Sequence, residues 1–301
     1  MQKTLISIIG STGIGKTKLA IEMAKHFGTE IISCDSRQFF KEMKIGTATP
    51  TDEELAQAKH HFIGHLSVQD YYSIGQYEED ALEKIEEIFE KNDFAVLVGG
   101  SMMYEKAVVE GLNDLPEANA ENQKNLQRIL DEEGLEKLQE ILKNLDEEYY
   151  NVVHKENPRR LLRAIDVIWQ TGRKYSEIIA EPKHKRDFKV VRIGITAPRE
   201  IMYERINLRV DKMIEQGLLE EVKTLVQYKD LVPLQTVGYT EIFKYLDGTW
   251  DLDFAIEEIK KNSRRYAKRQ ETWNRKVENV TWLPYDYSEE QLHEILSKIE
   301  K

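Results

Sequence analysis

The sequence predicts an α/β fold: a parallel sheet core, a helical insertion within it, and a helical C-terminal region. Three observations predict it. Short apolar runs alternate with stretches of helical periodicity. A glycine-rich turn joins the first apolar run to the first helical stretch. The strand signal then vanishes over residues 116–187 and returns beyond them.

The elements follow in chain order. Residues 3–9 form an apolar strand ending at a glycine, and Lys16–Phe27 has helical spacing. Residues 30–34 give a second strand and residues 82–89 a second helix. Phe94–Val98 is apolar throughout, as a parallel strand covered on both faces should be. Residues 121–133, 134–144 and 158–170 are helical stretches with no strand among them. Lys189–Thr196 returns the chain to the sheet, and most of the remainder reads as helix. The expected division is a core of residues 1–115 and 188–301 and an insertion domain of residues 116–187.

At 301 residues, 41% hydrophobic and 32% charged, the chain buries a sizeable core and is neither disordered nor collagen-like. A single cysteine, Cys34, excludes an internal disulfide or a Cys-based zinc site and fits a reducing, cytoplasmic setting. The opening apolar run is too short to span a membrane and precedes glycines, not a cleavage site. His60, His61 and His65 lack zinc-like partners, which favours a structural or substrate-orienting role.

Charge is unevenly spread. The net charge is −11, yet residues 260–276 hold eight bases against one acid, Glu271. Lys260, Arg264 and Lys268 lie four apart, as do Lys261, Arg265 and Arg269, giving two adjacent rows on one helix face. Such a face can hold phosphates although the chain is acidic, because these contacts act within a Debye length of ~8–10 Å. Tyr266 and Trp273 lie elsewhere on that helix, where they are expected to pack inward.

Gly10-Ser11-Thr12-Gly13-Ile14-Gly15-Lys16-Thr17 matches G-x-x-x-x-G-K-[ST] between a strand and a helix. The core is therefore P-loop NTPase-like. Glycines let backbone N–H groups turn toward an anion, the helix N-terminus adds partial positive charge, Lys16 adds a full one, and the Thr17 hydroxyl can ligate Mg²⁺. The loop says diphosphate or triphosphate and leaves the reaction open. A kinase or NTPase would usually close an apolar strand with an acid. Phe94–Val98 ends instead in Gly99-Gly100-Ser101, and no guanine-reading motif is present. The nearest acid at a strand end is Asp35, which belongs at the sheet edge where ligands of open α/β folds bind. Asp35 can equally cap a turn.

The whole pattern resembles the tRNA dimethylallyltransferases, the bacterial tRNA isopentenyltransferases. Matching segments are Gly10 to Thr17; Asp35-Ser36-Arg37-Gln38 and Ile45-Gly46-Thr47-Ala48; His60-His61 and His65-Leu66; and Gly99-Gly100-Ser101 with Tyr104. They continue with Asn157-Pro158-Arg159-Arg160-Leu161 and Arg163-Ala164; Arg205 and Arg209 leading to Met213, Gly217 and Leu218; Val237-Gly238-Tyr239; and Arg264 to Gln270. They span nearly the whole chain.

The resemblance implies transfer of a dimethylallyl group from dimethylallyl diphosphate to the N6 amine of the adenosine 3′-adjacent to the anticodon in tRNA. Pyrophosphate leaves, so the cradle holds a leaving group, which fits the missing hydrolytic acid. It implies Asp35 as the base, with Lys16, the loop amides, Mg²⁺ on Thr17 and Arg209 at the pyrophosphate. Ser101, usually threonine in the family, would touch the target nucleotide or diphosphate. Ser36, Arg37 and Gln38 would meet the adenosine and its neighbours, although Arg37 stands where the family varies. Asn157, Pro158, Arg159, Arg160, Leu161 and Arg163 would contact tRNA from the insertion, and Arg264, Arg265, Lys268 and Arg269 from the late helix. Arg159, Arg160 and Arg163 also oppose the dipole at their own helix start, which an RNA partner would explain.

The chain departs from the family at two further places. Gln123 stands where an arginine often touches tRNA. Met102-Met103 replace Gly-Leu, and either line an apolar prenyl pocket or join the ordinary core. The alternatives are prenylation of a free adenine nucleotide, a P-loop kinase or NTPase, and a plain RNA-binding module. The first needs neither the basic helix nor the Arg-rich insertion, ATP turnover with no RNA present would support the second, and the intact Lys16, Thr17 and Asp35 argue against the last. A monomer is expected.

Overall fold

The computed structural model describes residues 2–300. In chain order the elements are β1 (Thr4–Gly10), α1 (Lys16–Phe27), β2 (Ile31–Ser33), α2 (Asp52–Leu55), β3 (His60–His61), α3 (Ile74–Phe89), β4 (Phe94–Val98) and α4 (Met102–Glu110). Then come α5 (Ala120–Glu133), α6 (Leu135–Leu145), α7 (Glu147–Val152), α8 (Pro158–Thr171) and α9 (Tyr175–Ala180). The chain closes with β5 (Lys189–Thr196), α10 (Arg199–Glu215), α11 (Leu218–Thr224), α12 (Tyr239–Leu246), α13 (Leu252–Asn274), β6 (Val280–Pro284) and α14 (Glu289–Ile299).

Two compact units result, one of Met1–Val109 with Arg186–Lys301 and one of Glu110–Lys185. The first holds a single all-parallel sheet in the order β3-β2-β4-β1-β5-β6. Alternation along its strands builds two cores. Leu5, Ile32, Ala95 and Leu97 join the core that includes Tyr77, Tyr239, Ile242 and Ile259. Their neighbours Ile6, Ile31, Val96 and Val98 join Leu19 and Met23 of α1 and Ile295 of α14.

The four interior strands lie where the apolar runs predict them, and the edges differ. The region after Lys189–Thr196 is not helical to its end, because β6 pairs with β5 from Arg192↔Val280 to Thr196↔Pro284. Thr281 and Trp282 are exposed and Leu283 buried, so β6 lacks the apolar run of a central strand. On the other edge β3 is only two histidines wide. The second helix starts earlier than its apolar spacing suggests, where Ser73 and Gln76 form a capping box.

In the second unit α5, α6 and α8 bury Leu126, Leu138, Leu142, Leu161 and Ile165. The fully buried Asp166 accepts from Asn122 Nδ2 and Gln170 Nε2 at 3.0 Å each and from Arg163 Nη1 at 3.3 Å.

Candidate active site

The glycine-rich turn runs from the end of β1 to the first residue of α1. Gly13 and Gly15 take φ values of 76° and 114°, a region that favours glycine. Lys16 Nζ donates to the carbonyls of Gly10 and Ser11, both at 2.9 Å. Burial lowers its pKa to about 8; the Asp35 charge opposes that shift and Arg209 adds to it. Ser11 and Ile14 are buried, while Thr12 and Thr17 keep partial exposure. Arg205 Nε donates to the Gly13 carbonyl at 3.0 Å.

Asp35 follows β2 at the carboxyl edge of the sheet. Its Oδ1 accepts from Arg37 N at 3.2 Å, the short turn an aspartate favours. Gly99 and Gly100 follow β4, and a side chain on Gly99 would run into backbone while one on Gly100 would crowd two side chains. A methyl group on Gly99 would stand 2.5 Å from the Cys34 carbonyl carbon, and one on Gly100 would stand 3.0 Å from Asp35 Oδ2. The next residue, Ser101, accepts from Ser36 N at 3.0 Å and shares a 2.9 Å hydrogen bond with the Ser36 hydroxyl. Gln38 Nε2 donates to the carbonyls of Thr47 (3.3 Å) and Ala48 (3.1 Å). Arg209 Nη2 meets the same Thr47 carbonyl at 3.2 Å, and burial lowers the arginine's pKa.

Some of these groups border one cavity of about 240 Å³, and Lys16, Thr17 and Gln38 are not among its lining residues. Its polar wall includes Thr12, Asp35, Ser36, Arg37, Ser101 and Arg209. Its apolar wall includes Ile206, Val210, Met213, Val237 and Ile259. The methionine on the cavity is thus Met213; Met102 and Met103 are not among its lining residues, and Met103 is exposed on α4. Tyr266 turns inward as expected, donating to the Gly100 carbonyl at 2.9 Å.

Sequence reasoning gave no role to Gln270. It is buried, accepts from Thr12 N at 2.8 Å and donates to the Gly100 carbonyl at 2.7 Å. It therefore ties the phosphate loop to the turn beside Asp35. A signal was present: Ala255, Ile259, Ala267, Gln270 and Asn274 make one buried stripe at helical spacing on α13.

The basic face of α13 is shorter than its charges suggest. Acids engage its first two lysines: Lys260 pairs with Glu257 one turn back and with Asp211 of α10, and Lys261 with Glu258 one turn back. Arg264 Nη1 donates to Asn207 Oδ1 at 2.6 Å. Arg265, Lys268 and Arg269 are exposed.

In the second unit Asn157 caps α8, accepting from Arg160 N at 3.4 Å, and Pro158 opens the helix. Arg159 and Arg160 are exposed, and Gln123 is half-buried on α5. Leu161 lies in the core at 0% exposure and offers no surface to a partner. Arg163 has a partner within its own unit, the Asp166 carboxylate, so its presence near the start of α8 needs no RNA.

His65 packs against the rings of Phe39, Phe62 and Tyr72, and His61 Nε2 lies 2.5 Å from Glu30 Oε2. Among the described residues no group of three or more His, Cys, Asp or Glu is arranged to hold a metal, and no helix is long and apolar enough to cross a membrane.

Thr12 of the glycine-rich turn, the Asp35 carboxylate and the Arg209 guanidinium around a partly apolar cavity suit a group-transfer enzyme. Residues 38–277 match the family model described as IPP transferase, and the chain belongs to that family. It is 51% identical over 300 residues to the tRNA dimethylallyltransferase of Christiangramia forsetii, covering 99% of each chain. The solved structure of the full-length tRNA isopentenylpyrophosphate transferase of Bacillus halodurans matches at a TM-score of 0.73 and 36% identity, over 99% of this chain and 96% of that one. A eukaryotic dimethylallyltransferase acting on tRNA matches at a TM-score of 0.82 and 27% identity, over 94% of this chain and 74% of that one.

Proposed function

We propose that this chain transfers the dimethylallyl group of dimethylallyl diphosphate to the exocyclic N6 amine of the adenosine 3′-adjacent to the anticodon in tRNA. One observation carries the reading. A single cavity offers a carboxylate, Asp35, a half-buried guanidinium, Arg209, and an apolar wall that includes Val210 and Met213. The reaction needs a proton acceptor, an anion holder and a prenyl pocket. The names of the relatives support the same reading.

The chemistry follows from the residue types. The allylic C–O bond breaks and its electron pair leaves with pyrophosphate. Lys16, the loop N–H groups and Arg209 stabilise that charge as it develops, and one such donor commonly contributes ~10²–10³ in rate. The N6 lone pair is delocalised into the purine, so the amine attacks weakly. Asp35 accepts an N6–H bond, orients the amine and takes the proton as the C–N bond forms. Met213 and its apolar neighbours exclude water from the allylic cation. Ser101, hydrogen-bonded to Ser36, positions the target nucleotide or the diphosphate.

Mg²⁺ suits the donors present. It usually keeps several waters and takes a few protein oxygens together with substrate phosphates. The Thr17 hydroxyl, on the first turn of α1, is such a donor. When bound, the ion neutralises charge on the leaving pyrophosphate.

Transfer RNA would meet Ser36, Arg37 and Gln38 around the adenosine. It would meet Gln123, Asn157, Pro158, Arg159 and Arg160 on the insertion domain. The exposed Arg265, Lys268 and Arg269 of α13, with Arg264 behind them, would take phosphates. Loop bases unstack at a cost of about a few kcal/mol, so the adenosine can reach Asp35. We place the protein in the cytoplasm as a monomer.

The test is incubation with Mg²⁺, unmodified tRNA and labelled dimethylallyl diphosphate. Label on the adenosine beside the anticodon is the expected result. Label on free AMP alone, or ATP turnover with no label transferred, overturns the proposal.

A further inference from the structure

We infer that Glu221 is a positioning residue for the pyrophosphate-facing arginine, a role that rests on the reading of Arg209 given above. Its carboxylate sits on α11, away from the cavity wall. Three successive backbone N–H groups converge on it: Lys44 at 2.9 Å and Ile45 at 2.7 Å on Oε2, and Gly46 at 3.0 Å on Oε1. The Tyr239 hydroxyl donates to Oε1 at 2.7 Å. The tyrosine is fully buried, and its ring fills the space that a side chain on Gly46 would need.

Three consecutive N–H groups aimed at one point form an anion-binding nest. Here the protein fills it with its own carboxylate. The nest opens the turn that ends at Ala48, whose φ of 44° is costly for a residue with a Cβ. Thr47 lies between them, and its carbonyl accepts both Arg209 Nη2 and Gln38 Nε2. A guanidinium on a cavity wall depends on fixed acceptors to hold its direction. Glu221 thus sets the turn, the turn sets the Thr47 carbonyl, and that carbonyl sets Arg209. Gln38 shares that carbonyl, so the turn held by Glu221 also meets the segment that begins at Asp35.

The test uses the full chain with tRNA, Mg²⁺ and dimethylallyl diphosphate, in E221A, E221Q, R209A and R209A/E221A. Glutamine keeps the shape but replaces one acceptor with a donor, which opposes the N–H groups. We expect E221A to lower kcat at least tenfold and to raise the inhibition constant of pyrophosphate by a similar factor, because sub-ångström misplacement is expensive in rate. E221Q should fall in between, and tRNA affinity should stay within twofold for both. The double variant should be no more than about twofold slower than R209A, since the second change removes support from an arginine already gone. Where E221A does not fold, E221Q and R209A/E221Q carry the same comparison. Wild-type kinetics in E221A, or full additivity with R209A, overturns the inference while the reading of Arg209 stands. Wild-type transfer by R209A overturns that reading itself.

Discussion

Gly100 and Asp35 touch so closely that a methyl group on the glycine would stand 3.0 Å from Oδ2 of the aspartate and 3.1 Å from Gln270 Nε2. Neither neighbour is a free surface chain, because Asp35 closes a turn on Arg37 N and Gln270 holds Thr12 N. Gly100→Ala should therefore fold and still bind tRNA while pushing the carboxylate off its line. The shift required is a few tenths of an ångström, so transfer should fall measurably but by less than the ~10²-fold that a displacement of about 1 Å commonly costs. Single-turnover transfer with bound tRNA measures it, and a wild-type rate would show that the position of Asp35 is not critical.

Asp35→Asn keeps the acceptor for Arg37 N and removes the proposed base. Transfer should fall by ~10²–10⁴-fold, the usual contribution of a positioned proton acceptor. Asp35→Ala should abolish it. Affinity for tRNA, read by filter binding, should change little in both.

With Lys16 at the pyrophosphate, as proposed, the reaction should have an alkaline limit. Its ammonium is charged below pH about 8 and neutral above it, because burial disfavours the charged form. The value of kcat/KM for dimethylallyl diphosphate should fall as pH rises through about 8, as that ratio reports groups of the free enzyme. Lys16→Arg should remove this limb whatever its absolute rate. The sign for stability is the reverse. The folded state holds this proton less tightly than the unfolded chain does, so this group opposes folding at neutral pH. That opposition fades between pH about 8 and the ordinary lysine value.

Charge removal on α13 separates its residues. Arg265, Lys268 and Arg269 are exposed. Alanine at each should weaken tRNA binding across sequences and lower the salt slope by about 0.7–0.9 for every phosphate no longer neutralised. Lys260 and Lys261 are held by Asp211, Glu257 and Glu258, so alanine there should leave the slope nearly unchanged. Titration of Kd against salt distinguishes the two groups.

Fold and site were legible to different depths in the sequence. The phosphate loop is a contiguous pattern, and the interior strands announce themselves because burial on both faces demands unbroken apolar runs. The edge strands β3 and β6 carry no such demand; one is a pair of histidines and the other exposes Thr281 and Trp282. Arg163 looked free because its partner Asp166 lies one turn on, inside the apolar stripe of α8. Gln270 sits in a run of basic residues, and its two hydrogen bonds reach Thr12 and Gly100, far away in sequence. Glu221 was hidden for the same reason: its partners are backbone N–H groups, which leave no trace in residue identity.

The sheet order also bears on synthesis. β1, the first strand made, ends between β4 and β5. Its partner β4 is complete at Val98, but β5 begins at Lys189, beyond the whole helical insertion. At ribosomal speeds that stretch takes roughly 5–20 s to translate. During that time the nascent chain carries an open hydrogen-bonding edge in what becomes the middle of its sheet. The helices of the insertion emerge in the same interval with local contacts that form quickly. A pause or truncation within them would release a half-sheet with a sticky centre, so chaperone capture of stalled chains should peak there.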